Sequence, residues 1–506
     1  MARATAGIHR VVAGALAAAL LASTAAAAPP PALPVAPPRA LAPAEPAAPR
    51  PRLIVLTDIG NEPDDAESMV RLLLYSNDIE IEGLVASTSR HLPRDPHPEL
   101  IEQRIAAYGT VLGNLRRHDP RYPDAAWLRA RLRAGSPVYG MSGVGKGKDT
   151  AASRLIIAAV DRPDPRPVWI AAWGGAADLA QALWTVRAER SPEAVERFVA
   201  RLRVYSISDQ DDAGPWARAY FPKLFWETGI HGFTRYQLAT WTGISAPLPG
   251  ADQGPVSKEW LERNIRAKGP LGALYPLPAY IMEGDTPSFL SLIPNGLSVP
   301  ERPDWGGWGG RYDRLSDGLG LWTTTTDTVR GSDGQTYSTP QATIWRWRSA
   351  FQNDFAARMQ WSVTPDYGQA NHAPRPVLNG RAGLEPVEIA ACPGRPVTLS
   401  AAGSSDPDGN ALTYRWRWYR EASGLFAPDL KLSAETGETV TATLGDTAHV
   451  DQFAPPAAYR LHVILEVSDD GAPQLTRYRR AIITVPGAAA PGEQRDCAVR
   501  PIPPSH

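Results

Sequence analysis

The chain has 506 residues, 43% hydrophobic and 21% charged, enough for about two to four domains with buried cores. That excludes a disulfide-stapled miniprotein and a wholly disordered chain. Lysine and arginine number 52 against 53 acidic residues, a net charge of −1, so no global basic field exists to hold a nucleic-acid polymer.

Residues 1–28 read as a secretory signal peptide. Arg3 and Arg10 give a basic start, VVAGALAAALLASTAAAA follows as an apolar run of small residues, and the run closes on an Ala-x-Ala pattern at Ala28. Its alanine content makes it a weak membrane anchor despite its length. Cleavage is expected, with no membrane span afterwards and a mature chain in the periplasm or outside the cell. Residues 29–51 form a Pro/Ala-rich tether with nothing to bury.

Residues 52–373 alternate strand-like and helical patterns. LIVLTD (Leu53–Asp58) is a β-branched run ending in an acidic loop, and DAESMVRLLLYS (Asp65–Ser76) has apolar residues at helical spacing. IEIEGLVAST (Ile79–Thr88), VWIAAW (Val168–Trp173) and RVYSIS (Arg203–Ser208) are further strands, and AADLAQALWTV (Ala176–Val186) is a helix. The order predicts a mostly parallel open sheet covered by helices, an α/β fold that binds ligands beyond the carboxyl ends of its strands. NHAPRPVLNG marks a linker, assigned to 374–386. From 387 to 487 short alternating strands such as LTYRWRWY and YRLHVILEVSD, separated by SSDPDGN and SDDGAP turns, predict an all-β sandwich. Residues 488–506 are a tail. Cys392 and Cys497 are the only cysteines. They either pair, as an oxidising compartment permits, and tie the tail to the last domain, or stand as unpaired thiols.

The sharpest signal is LTDIGNEPDDAES, Leu56–Ser68, which crowds Asp58, Glu62, Asp64 and Asp65 into one strand-to-helix turn. Two carboxylates about 4 Å apart repel by about 4 kcal/mol at an effective dielectric near 20. Such a cluster needs protons or a hard cation, and an all-oxygen set with irregular geometry favours calcium. The plainer alternative is helix capping, for which one acid suffices.

This loop resembles the N-terminal signature of calcium-dependent nucleoside hydrolases. The chain as a whole is similar to a family of exported bacterial nucleoside-hydrolase-like proteins, some described as cellulose-binding, with a C-terminal immunoglobulin-like domain. The similarity rests also on VYGMSGVGKGKD (Val138–Asp149), WGGAADLAQAL (Trp173–Leu183), SISDQDDAGPW (Ser206–Trp216), MEGDTPSFLSLIPNGL (Met282–Leu297) and PDWGGWGGRY (Pro303–Tyr312). It implies a nucleoside-hydrolase type of sheet plus an immunoglobulin-like sandwich. It also implies that Asp58 is both metal ligand and general base, that Asp65 and Asp285 are ligands, and that Ala177 offers a main-chain carbonyl. Asp64 falls where the family holds sugar hydroxyls. Three features depart from typical nucleoside hydrolases. Asn61, Glu62 and Pro63 lengthen the loop, Gly284 replaces a histidine beside the distant aspartate, and Asp209-Gln210-Asp211-Asp212 replaces an Asn-rich sugar segment.

Asn61, Glu62, Asp209 and Asp211 are therefore candidate substrate contacts, joined by Trp173 at a strand end, which either lines the pocket or packs under it. Trp305 and Trp308, on the Gly-rich loop DWGGWGGRY, either stack on sugars or fold back as a plug. Gly140, Gly145 and Lys146 meet part of a phosphate-loop pattern, but Gly147 stands where Ser or Thr is needed. His231 is a candidate general acid or an ordinary hydrogen-bonded histidine. Trp416 and Trp418 suit sandwich packing, and DPDGN (Asp406–Asn410) suits either calcium or a turn.

The expectation is an exported calcium-dependent hydrolase of a glycosidic bond, an N-riboside or other small glycoside, with Asp58 activating water. The alternative is a carbohydrate-binding protein that keeps the pocket without turnover. The partner is a small glycoside or carbohydrate, and homo-oligomerisation is left open.

Overall fold

The computed structural model describes residues 49–232, 235–392, 394–424, 427–445 and 458–486. The signal-peptide reading, most of the tether, the tail and Cys497 lie outside the described residues, while Cys392 is disulfide-bonded.

RLIVLT forms β1 (Arg52–Thr57), buried along its whole length. Successive side chains point to opposite faces of a sheet. Leu53 and Val55 accordingly enter one apolar core and Ile54 and Leu56 another. A run apolar on both faces suits a central parallel strand covered on both sides. Seven more strands complete the sheet: β2 (Glu80–Ala86), β3 (Leu132–Ala134), β4 (Val168–Ala172), β5 (Leu202–Ser206), β6 (Phe225–Thr228), β7 (Tyr312–Arg314) and β8 (Leu321–Thr324). Their order is β3-β2-β1-β4-β5-β6-β8-β7, all parallel except β7 at the edge. Helices α1 (Asp64–Leu74) and α2 (Pro98–His118) contribute to the first core; helices Ala151–Asp161 and Ala177–Glu189 contribute to the second.

From β1 the chain order runs outward through β2 on one side and through β4 on the other. This reversal opens a crevice at the carboxyl ends of β1 and β4, the position where open α/β sheets take ligands. The acidic loop leaves β1 at that point.

After a hairpin of β9 (Asp327–Arg330) and β10 (Thr336–Thr339), seven strands make two further sheets. They are β11 (Val387–Ala390), β12 (Val397–Ser400), β13 (Thr413–Trp418), β14 (Leu430–Leu432), β15 (Thr439–Leu444), β16 (Ala458–Ser468) and β17 (Thr476–Pro486). The sheet β11-β17-β16-β13 and the sheet β12-β15-β14 share one core that holds Leu399, Trp416, Val440, Leu461 and Ile483, an arrangement consistent with a β sandwich. Trp416 is buried in that core and Trp418 is half-buried.

The other face of β16 and β17 is buried as well. Arg480, fully enclosed, donates to the carbonyls of Leu297 (2.7 Å), Trp305 (3.0 Å) and Gly306 (3.1 Å). The Tyr478 N–H donates to Asn295 O at 2.9 Å. The sandwich is thus fastened to the loops that follow Asp285.

Candidate metal centre

Asp58 follows β1 directly, the chain turns through Gly60 in a left-handed conformation (φ 119°), and Asp64 and Asp65 open α1. More than 200 residues later, Asp285 arrives on a loop. Asp64, Asp65 and Asp285 are all buried, and each presents one carboxylate oxygen within 4.8 Å of the others.

Two of the carboxylates are aimed by neighbouring hydroxyls, and the loop that carries Asp285 is locked in place. Thr57 Oγ1 donates to Asp65 Oδ1 and accepts the Ile59 N–H at 3.1 Å. Ser89, beyond β2, donates to Asp58 Oδ2, while its own oxygen accepts the N–H groups of His91 (2.9 Å) and Leu92 (3.0 Å). The Asp285 loop is locked onto α1 through Glu283. The Glu283 N–H donates to Glu67 Oε2 at 2.7 Å, and its carboxylate receives Arg71 and the Tyr275 hydroxyl (2.8 Å). Glu283 carries φ 52°, a costly conformation for a non-glycine residue that persists only where its surroundings over-determine it. Trp173 Nε1 donates to Ser288 Oγ (2.8 Å), which donates to Asp285 O (2.6 Å).

Burial pushes all four aspartates up, because it penalises the charged form. Asp64 is pushed up to about 7, first by burial and then by Glu62 and Asp58. For Asp65 and Asp285 the other aspartates are the next largest causes. Asp285 Oδ2 is shut away from solvent, and no donor among the described residues reaches it. Glycines make the space: a Cβ on Gly174 would stand 2.6 Å from Asp58 Oδ1, and one on Gly284 would stand 2.6 Å from Asp64 Oδ2. Crowded carboxylates with an acceptor left bare fit a hard divalent cation held by oxygens.

Several residues sit elsewhere than the sequence suggests. Asp209 is spent on a two-pronged pair with Arg218 (2.9 and 2.6 Å). Asp211 is buried and accepts the N–H groups of Ala176 and Ala213, both at 2.9 Å, tying the loops after β4 and β5 together. Burial pushes it up to about 6. Trp173 is fully enclosed and props the Asp285 loop from beneath. Trp305 packs edge-on to His462, and Trp308 packs against Phe351 and Tyr478; at 8% and 0% exposure neither presents a face to a sugar. Asp211 and the three indoles are enclosed, held by backbone N–H groups, by Ser288 or by packing against the sandwich, while Asp209, still partly exposed, is engaged by Arg218.

Ala177 is the first residue of its helix. The group this turn sets against Asp58 is Gly174. Asn61 is exposed, and Glu62 is half-buried at the rim. In the Gly140–Asp149 segment the Met141 N–H donates to Asp212 and the Gly145 N–H to Gln181 (both 2.7 Å), so those donors are internally satisfied.

The wall of the crevice holds the candidate His231 together with two residues that the sequence does not single out, Tyr236 and Trp241. Trp241 lies beside Gly284, and its Nε1 donates to Ser208 Oγ at 3.2 Å; Ser208 also meets His231 Nε2 at 2.9 Å. Tyr236 packs on His91, His231 and Trp241. No local signal marks Tyr236 and Trp241, which come from loops over 100 residues beyond the acidic turn and meet it only across the sheet.

Residues 52–312 match the family model for the cellulose-binding Sde182 nucleoside hydrolase-like domain, and residues 396–485 match the model for the C-terminal domain of cellulose-binding protein Sde0182. A nucleoside hydrolase-related protein from Saccharophagus degradans, associated with carbohydrate metabolism, has a solved structure at 34% identity. The alignment covers 86% of this chain and 100% of that one, with a TM-score of 0.72. The effector XOO4466 and the type III effector XopQ, the latter complexed with adenosine diphosphate ribose, each align over 62% of this chain and 94% and 95% of their own. Their identities are 11% and 10% and their TM-scores 0.28 and 0.29, too low to bear on the fold. No curated protein matches.

Proposed function

From the premise that the chain belongs to the cellulose-binding Sde182 family with a nucleoside hydrolase-like domain, we propose that it is an exported, calcium-dependent hydrolase of a glycosidic bond in a carbohydrate or small glycoside. The carrying observation is the convergence of Asp64, Asp65 and Asp285 at the sheet's switch point, with Asp285 Oδ2 bare. Asp65 and Asp285 would hold the ion, with Asp58 and Asp64 beside it. Calcium bound there would supply positive charge to acidify a water and to grip a sugar diol. Asp58, fixed by Ser89, takes the proton of the attacking water. Asp64 accepts from sugar hydroxyls, and the carboxylate field stabilises positive charge developing at the anomeric carbon. Tyr236, half-buried at the crevice wall, offers aromatic surface to the sugar ring.

A second reading, carbohydrate binding without turnover, is favoured by Gly284, which stands next to Asp285 where typical nucleoside hydrolases have a histidine, and by the cellulose-binding description of the family. The two readings separate on Asp58→Asn. The hydrolase reading expects metal analysis to find calcium in the purified chain and a nucleoside and aryl-glycoside panel to yield product. In that case the variant loses turnover by about 10²- to 10⁴-fold. Unchanged hydrolysis by the variant would sink the mechanism, and glycan retention with no product from any glycoside supports the binding reading.

A further inference from the structure

Far along the chain from the acidic centre, two turns of the sandwich meet at the junction with the linker. In SSDPDGN, Asp406 Oδ1 accepts the N–H groups of Asp408 (2.9 Å) and Asn410 (3.0 Å). In SDDGAP, Asp469 Oδ1 accepts the N–H groups of Gly471 (2.9 Å) and Leu475 (3.0 Å) and the Asn371 amide (3.1 Å). The turns are stitched together by the Ala411 N–H, which donates to Asp470 Oδ1 at 2.9 Å, and by pairing of Thr413 with Ser468.

In both aspartates one oxygen is fully engaged and the other is bare. Asp406 Oδ2, Asp469 Oδ2 and Asn410 Oδ1 are each closed to solvent, and no donor among the described residues reaches any of them. Asp469 is 0% exposed. Native structures leave few buried acceptors unpaired. Three on adjoining turns, two from carboxylates, lack a partner that is positive, compact and oxygen-seeking. Burial also holds both aspartates above the usual carboxylate range, and Asp406 raises Asp469 further.

We infer that Asp406, Asn410 and Asp469 form a second cation site, distinct from the centre at the sheet's end, whose ligand is calcium. Three oxygens from two irregular turns suit calcium's flexible coordination better than magnesium's strict octahedron, and the soft donors that favour transition metals are missing from the set. The site also explains how the linker is gripped. Asn371 bonds Asp469 and the Pro473 carbonyl (2.8 Å), and His372 bonds Asp408 through its N–H (2.6 Å) and Nδ1 (3.0 Å). An ion that fixes the two turns fixes the residues by which the α/β part enters the sandwich.

The test counts calcium on the whole chain, stripped with EDTA and titrated with CaCl₂ in a calorimeter. Wild type is expected to bind two equivalents, Asp469→Asn one and Asp285→Asn one. Asn410→Ala, which leaves both carboxylates in place, is expected to keep the wild-type circular dichroism spectrum and weaken one of the two equivalents at least tenfold. That variant decides the matter if Asp469→Asn fails to fold. EDTA is expected to speed proteolytic cutting of residues 365–375 in wild type, and Asn410→Ala to be cut rapidly even with calcium. An Asn410→Ala titration identical to wild type would overturn the site; the Asn410 amide then turns its N–H groups inward and satisfies the carboxylates itself. If instead only Asp285→Asn leaves the count unchanged, the acidic centre fails and the sandwich site stands.

Discussion

Gly174 makes the sharpest test at the scale of a single residue. An added methyl would meet Asp58 Oδ1 at 2.6 Å, Cγ at 2.8 Å and Cβ at 2.9 Å, so Gly174→Ala must displace the Asp58 side chain. Calorimetric titration should find calcium affinity down by about 10- to 100-fold, the range for disturbed ligand support, with the fold intact by circular dichroism. Asp64 sets a pH dependence. Because the folded protein pushes it up to about 7, a proton competes with the ion, and calcium affinity should rise with pH until it levels above about 7. Without metal the sign for stability is the opposite. A carboxyl whose folded value lies above its ordinary one of about 3.9 contributes fully below that ordinary value, and the contribution is lost as pH rises through about 7. Melting temperatures in EDTA should therefore fall between pH 5 and 8, while saturating calcium removes that fall. Asp58, Glu62, Asp64 and Asp65 are legible from spacing alone, since eight residues at a strand end place them together. Ser89, which aims Asp58, is not, because it reaches the site only through the pairing of β2 with β1.

At the scale of elements, the Asp285 loop and α1 act as one piece. Arg71 on α1 and Glu283 on the loop are both fully enclosed, and Arg71 also bonds Gln352 and the Phe351 carbonyl (3.0 Å). Removing one partner of a buried pair leaves the other charge uncompensated, which costs about 3–5 kcal/mol. Arg71→Met should show a loss of that order in urea unfolding, together with weaker calcium binding, since Asp285 lies two residues from Glu283. The apolar periodicity of residues 65–76 announces the helix, but nothing in it singles out Arg71. Only the packing of loop 283–286 and helix Arg348–Val363 against α1 turns it inward.

Across the whole molecule, the α/β part and the sandwich share a polar, aromatic seam built on Arg480, His462, Trp305 and Tyr478. Burial, then the charge of Arg480, pushes His462 well below the ordinary histidine value near 6.5. A group depressed in the folded state contributes stability above its ordinary value and loses it as pH falls. In saturating calcium, where the fall tied to Asp64 is removed, the melting temperature should accordingly drop as the buffer goes below about pH 6.5. His462→Gln, which keeps an acceptor for Arg480 but cannot be protonated, should flatten that part of the profile; an unchanged slope would place the acid sensitivity elsewhere. The same seam decides between the two readings of Trp305 and Trp308 in favour of packing. An aromatic, Gly-rich loop has the composition of an exposed binding surface, and its burial depends on strands more than 150 residues away.

What the order of residues determines by itself is local. Runs apolar on both faces specify central parallel strands, alternating runs specify the sandwich, and four acids within eight residues specify a place where charge must be met by protons or a cation. What tertiary structure alone decides is which distant groups share that place and which are already spent. Asp285 becomes a partner of Asp64 and Asp65, while Asp209, Asp211, Trp173, Trp305 and Trp308 are taken up by an arginine, by backbone N–H groups or by packing. The physical reason is that short-range sterics and hydropathy act along the chain, whereas burial, the quantity that shifts these carboxylates and hides these indoles, depends on everything that folds over them.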